Sequence, residues 1–267
     1  MKNCLIIGSG RCGTSMLGGI MHDAGYFMGE NLYSGNPSNP KGFFECGEIN
    51  DLNEDILNHY NHYWLPHILY KIFRVPKPKS RRRQQWLLSI PPQIAVDYSN
   101  SQIDKRIQSA LEKQPFCYKD PRFSYTLPVW KQHLNNQTRF ICVFRSPNIT
   151  VNSILKECAS RRYLRNLYIN TEYAIKAYVN IYSHILTKNA EILDKIFFVH
   201  YEQILDGSAL SKMSEFLNVE LSNKFADSKL RRTQALETIS DGAIHIYSRL
   251  CDLAGYEEKY PYGHTAT

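Results

Sequence analysis

The stretch CLIIGSGRCGTSML, Cys4 to Leu17, decides how the rest of the chain is read. An apolar run, KNCLIIG, stops at a glycine. Ser15, Met16, Gly19, Ile20 and Ala24 then open a helical pattern that ends near Gly25, so the order is strand, glycine loop, helix. Gly8, Gly10 and Gly13 spell the G-x-G-x-x-G of dinucleotide-binding domains, while Gly8 with Gly13-Thr14-Ser15 spells a P-loop without its lysine. A dinucleotide domain needs a second strand ending in an acidic residue roughly 20 positions on. Glu30 stands near that distance, but the AGYFMG before it makes a poor buried strand, and Arg11 would push a cation into a turn that relies on backbone and helix dipole. A metal-dependent kinase needs Lys after the last glycine and an apolar strand ending in Asp. Position 14 is Thr, and the apolar strand RFICVF runs into Arg145. What is left is a helix N-terminus whose N–H groups, from about Cys12 to Ser15, wrap a tetrahedral anion while Arg11 supplies positive charge.

Three more β-rich runs follow, PFCYK at 115–119, TRFICVF at 138–144 and KIFFVHY at 195–201, with helical patterns near 101–113, 148–160, 171–194 and 209–217. Strands alternating with helices predict an α/β chain, a P-loop NTPase-like three-layer fold with a central parallel sheet flanked by helices. One domain over residues 1–267 is expected. Residues 30–47, dense in Gly, Pro, Asn and Ser, read as a long ordered loop beside the first one. The basic run RVPKPKSRRR (74–83) reads as a solvated excursion ahead of an acceptor-binding role, and the aromatic run HYNHYWLPHILY (59–70) as a packed lid or core segment, with the border of an acceptor pocket as its other reading. With 43% hydrophobic and 21% charged residues the composition is that of a globular protein and excludes extensive disorder. A net charge of +7 suits an anionic partner without pointing to nucleic acid. The seven cysteines form no C-x-x-C and the nine histidines no H-E-x-x-H, so no metal is expected and a reduced, cytoplasmic setting fits. No run approaches the roughly 20 apolar residues of a membrane span, and no leader-like segment opens the chain, so a soluble protein is expected.

The loop GSGRCGTSML resembles the phosphosulfate-binding loop of the sulfotransferase family, whose donor is 3′-phosphoadenosine 5′-phosphosulfate (PAPS). The resemblance implies that Gly10, Arg11, Cys12, Gly13, Thr14 and Ser15 bind that donor. A second block, FICVFRSPNITVNSIL, resembles the family's strand, R-x-P turn and helix, in which an arginine and a serine eight residues later grip the 3′-phosphate; Arg145 and Ser153 stand at that spacing. The segment FFVHYEQILDGSALSKMSEFLNV (197–219) is similar to the family's late strand and helix, and YKDPRFSYTLPVW (118–130) and NPKGFFE (39–45) look like bacterial members. The resemblance therefore covers most of the chain, fading after residue 225.

The implied activity moves a sulfuryl group from PAPS to a hydroxyl or amine, with Arg11, the loop amides and Lys119 suited to charge on the leaving oxygen. A general base is also required. Cytosolic members carry a histidine two residues after the strand-end lysine, whereas this chain reads Lys119-Asp120-Pro121-Arg122. Asp120 and Glu45 rank equally as the base, with Glu30 behind them. Each also has a structural reading: Asp120 pairing with Arg122, and Glu45 opening the helix of CGEINDLNEDIL. A nucleotide or small-molecule kinase and a non-catalytic nucleotide-binding module are the alternative functions. The acceptor, whether small molecule, glycan, lipid or protein, and the oligomeric state stay open. Should the 3′-phosphate not lie at Arg145 and Ser153, Arg231 and Arg232 are the next candidates.

Overall fold

The computed structural model describes residues 1–37, 39–60, 83–164, 167, 169–227 and 233–257. Most of the aromatic run, the basic run up to residue 82, and Arg231 and Arg232 lie outside the described residues. Four strands form one sheet in the order β2 (Cys117–Lys119), β1 (Cys4–Ile7), β3 (Arg139–Phe144), β4 (Ile196–His200), every pair parallel. Each β-rich run of the sequence is thus a strand, trimmed at its ends.

Alternate residues of the strands enter two different cores, which is why the runs are continuously apolar rather than alternating. Leu5, Ile7, Tyr118, Phe140, Cys142 and Phe144 face one core. It is closed by α2 (Gly47–Leu57), α3 (Ser101–Ala110), α4 (Phe123–Lys131), α5 (Pro147–Ser160), α6 (Thr171–Lys188) and α9 (Asp241–Ala254). Cys4, Ile6, Cys117, Ile141, Val143 and Val199 face the other, closed by α1 (Thr14–Asp23), α7 (Tyr201–Leu205) and α8 (Leu210–Leu217). Helices therefore cover both faces, as the alternation of elements predicts.

Two helices depart from the sequence reading. α4 carries Pro128 in its interior, a residue that normally breaks a helix, and is stabilised instead by burying Phe123, Leu127 and Trp130. α9 lies in the region that had no distinctive pattern; it docks Tyr247 and Leu250 into the core.

The chain leaves β1 toward β2 on one side and returns to β3 on the other, so the strand order reverses beside the C-terminal end of β1. In open parallel sheets that reversal opens a crevice where ligands bind. The glycine loop of residues 8–13 sits there. Gly8 has φ +132° and a Cβ would lie 2.2 Å from the Val143 carbonyl oxygen, so only glycine lets the loop pass β3. Gly13 (φ +103°) packs on the Tyr201 ring in the same way.

Candidate functional site

A cavity of about 760 Å³ opens over the C-terminal ends of the strands. Gly10, Arg11, Gly13, Thr14, Ser15, Glu45, Lys119, Arg145 and Ser153 all line it. Cys12 and Asp120 do not. The Cys12 thiol is fully buried and donates to the carbonyls of Ser9 (2.8 Å) and Val143 (3.2 Å). Burial pushes its pKa up to about 11, so the thiol is a packing group and the residue can serve a ligand only through its backbone.

At the loop, α1 starts at Thr14 with Gly13 left-handed and no side-chain cap. Such a start leaves amides for an anion at the positive end of the helix. The loop is held from beneath. Ser124 Oγ accepts from the Gly8 N–H (3.0 Å) and donates to the Gly8 carbonyl (3.1 Å), and Tyr182 Oη accepts from the Ser9 N–H (3.2 Å). Lys119, at the end of β2, lies with its side chain 1% exposed and its ammonium donating to Ser15 Oγ (3.3 Å) and to Glu45 Oε1.

The two carboxylates that the sequence ranks equally are separated by their surroundings. Glu45 faces the cavity, bonded to Lys119 and accepting from Asn50 Nδ2 (2.8 Å). Burial favours its neutral form, but the charges of Lys119 and Arg122 outweigh that and hold the carboxyl below its ordinary pKa. Asp120 has no exposed surface; it accepts from Arg122 Nη1 (2.8 Å), the Arg122 N–H (3.0 Å) and Asn53 Nδ2 (2.8 Å). Burial pushes its pKa up, with Arg122 pulling against it. These bonds of Asp120 serve the floor of the site, and none reaches the cavity. Glu30 lies on the surface, its side chain 64% exposed and paired with Lys113.

Arg122, read in sequence as no more than a partner for Asp120, proves to be part of the cavity wall at 2% exposure. Glu54 takes both its Nε (3.0 Å) and its Nη2 (2.6 Å). Burial alone would lower its pKa, but the carboxylates of Asp120, Glu54 and Glu45 raise it well above the ordinary arginine value.

At the other end of the cavity, Arg145 follows β3 and Ser153 sits one and a half turns into α5. The Arg145 guanidinium lies 4.1 Å over the Tyr201 ring, and Tyr178 Oη donates to its carbonyl (3.0 Å). Arg11 joins this end rather than the Lys119 end. Its backbone is left-handed (φ +70°), its Nε donates to Ser153 Oγ (3.1 Å), and its Nη1 lies 3.7 Å from Glu157. The expectation that Arg11 attends the same oxygen as Lys119 thus meets a side chain turned toward α5.

Aromatic walls complete the cavity: Tyr33 and Phe43 from the long loop, Trp86, and Tyr163. Trp86 covers Gly10 so closely that a Cβ there would lie 2.5 Å from its ring. Single aromatics in loops carry no periodic signal, so the sequence had nothing to mark them. Among the described residues, no group of three His, Cys, Asp or Glu side chains is arranged to hold a metal, and no helix is long and apolar enough to cross a membrane.

The chain matches no protein-family model and no curated protein. Among solved structures it is similar to the sulfotransferase domain from the Synechococcus PCC 7002 olefin synthase, at 16% identity and TM-score 0.51 over 97% of both chains. It is similar also to the sulfotransferase domain from the curacin biosynthetic pathway, at 13% identity and TM-score 0.55 over 96% of this chain and 98% of that one. At such identities the likeness shows a common fold: the four-stranded parallel sheet and its flanking helices are those of sulfotransferase domains.

Proposed function

We propose that this protein is a PAPS-dependent sulfotransferase acting on a hydroxyl or amine. One observation carries the reading: a single cavity has an anion-binding loop with Lys119 at one end and Arg145, Ser153 and Arg11 at the other, with the Glu45 carboxylate beside the lysine. Two cationic grips in one cavity suit a ligand phosphorylated at two positions, and the cation–hydroxyl pairs are of the kind that bind phosphate by charge-assisted bonds. PAPS bound there supplies a sulfuryl group on a phosphate leaving group.

The roles of the side chains follow from their placement. Lys119 and the amides of residues 13–15 stabilise the oxygen on which charge develops. Glu45, kept ionised by Lys119 and Arg122, takes the proton of the acceptor hydroxyl. As Lys119 turns its charge to the leaving oxygen, its hold on Glu45 weakens and the carboxylate becomes the stronger base. Arg145, Ser153 and Arg11 hold the 3′-phosphate and contribute binding.

Calorimetry with 3′-phosphoadenosine 5′-phosphate (PAP) and 5′-AMP tests the reading. PAP is expected in the micromolar range, about −8 kcal/mol, with AMP much weaker. Equal affinities would remove the role of the Arg145 end and with it the proposal.

A further inference from the structure

The acceptor half of the cavity has its own electrostatic signature. An antiparallel bridge pairs Leu32 with Cys46, and the Tyr33 N–H donates to the Glu45 carbonyl (2.9 Å), so Tyr33 and Glu45 are opposite one another. Residues directly opposite on paired strands project to the same face, with Cβ atoms about 5 Å apart. Both line the cavity. The guanidinium of Arg83 lies 4.8 Å over the Tyr33 ring, and Arg83 lines the cavity too. This places a cation in the same wall of the cavity as the carboxylate assigned as the base.

Arg83 is held there by its backbone. Its φ is +77°, and its N–H donates to Glu54 Oε2 (2.5 Å), while Glu54 Oε1 accepts from Arg122 and from the Gln85 N–H (3.3 Å). One buried carboxylate therefore positions Arg122 and the backbone of Arg83 together. The Arg83 side chain is exposed, and among the described residues it has no carboxylate partner. The other cations of the cavity are differently placed. Lys41 donates to the Phe225 carbonyl (2.7 Å) and lies 3.7 Å from Asp227, and Lys156 stands on α5 beside Ser153 and Glu157, at the donor end. Lys119 and Arg122 are already engaged by Glu45, Glu54 and Asp120.

We infer that the acceptor is an alcohol bearing an anionic group, a carboxylate or phosphate one ring or a short chain away from the reacting hydroxyl, and that Arg83 on its Tyr33 platform selects it. The inference rests on the sulfotransferase reading for the position of the hydroxyl. A planar guanidinium stacked on a ring keeps its N–H edge free for bidentate recognition of a carboxylate or phosphate, so the pair favours a charged substituent over a neutral one. Among the described residues Glu45 makes its ion pair with Lys119 and accepts from Asn50, and no ion pair joins it to Arg83.

The test uses matched acceptors titrated into the PAP-saturated protein, D-galacturonate against D-galactose and 3-hydroxybutyrate against its methyl ester, in wild type, Arg83→Gln and Arg83→Lys. The anionic member of each pair is expected to bind at least about tenfold tighter to wild type, as charge-assisted bonds to a fixed guanidinium do. Arg83→Gln should abolish the preference while PAP affinity stays the same, and Arg83→Lys should restore part of it. Equal binding of the two members by wild type, or a preference that survives in Arg83→Gln, overturns the inference. A protein that fails to bind PAP overturns the sulfotransferase reading instead, and the same pairs titrated without PAP then judge Arg83 by itself.

Discussion

The two halves of the cavity are built by different means. At the half proposed for the donor, most of the residues follow directly from a strand, the glycine loop from β1, Lys119 closing β2, Arg145 one residue past β3 and Tyr201 one residue past β4, with Ser153 added from α5. Their backbones are set by the sheet, which both cores hold from either side. At the half proposed for the acceptor, Tyr33, Arg83, Trp86 and Tyr163 come from connecting segments; the Tyr33 N–H is bonded to the Glu45 carbonyl and the Arg83 N–H to the Glu54 carboxylate. With the proposed roles, a site divided in this way keeps its anion-binding chemistry rigid while its acceptor wall can change residue by residue without disturbing the sheet.

The strongest way to break that division is to remove the floor beneath both halves. Asp120→Ala leaves the buried Arg122 guanidinium without one of its two carboxylates, and breaking such a pair costs about 3–5 kcal/mol. Urea denaturation should show a loss of that size. Equal midpoints for Asp120→Ala and wild type would remove Asp120 from the floor and return it to the contest for the base.

Glu45→Gln tests the chemistry at the boundary between the halves. Turnover should fall by about 10²-fold or more with PAP affinity nearly unchanged, as for loss of a general base. The pH profile has a sign to check. Because Glu45 titrates below its ordinary 4.5, it is ionised from that value upward, and wild-type kcat/KM should fall only as pH drops below about 4.5. The same depressed value means that whatever stability its ionised form contributes is present above 4.5 and lost in that acid window. An acid limb near neutral pH would assign the base elsewhere.

Arg145→Ala addresses the donor half alone. PAP binding should weaken by about 1.5–3 kcal/mol, with Ser153→Ala costing less. Calorimetry that finds both variants binding like wild type would move the 3′-phosphate away from α5.

What the sequence revealed follows the same division. The strands were legible because burial on both faces makes them continuous apolar runs, and the glycine loop, Lys119 and Arg145, which line the cavity, could be singled out because they stand at fixed distances from those runs. Glu45 and Asp120 were indistinguishable, since a carboxylate in a connecting segment looks the same in sequence whether it turns to the cavity or to a buried arginine. Arg83, Trp86 and Tyr163 had no strand to be measured from. α4 was hidden by Pro128, whose cost to the helix is offset by a buried face that only the tertiary structure supplies.

The smallest expected effect concerns Arg11, which belongs by sequence to the anion loop and by side chain to α5. Serving the leaving oxygen, it would cost turnover about 10²-fold when removed, as the loss of an oxyanion-type donor does. The geometry argues for the other role, because its Nε is bonded to Ser153 (3.1 Å) and its Nη1 lies 3.7 Å from Glu157, which also accepts from Arg161 Nε (3.0 Å). Arg11→Ala should therefore weaken PAP by about 1 kcal/mol, the scale of one hydrogen bond, and leave single-turnover transfer at saturating donor almost unchanged. Glu157→Gln should act in the opposite direction, since it removes a negative charge from the phosphate end and loosens the hold on Arg11. A large turnover defect in Arg11→Ala with normal PAP affinity would show that the side chain leaves α5 and works at the reacting end once the donor is bound.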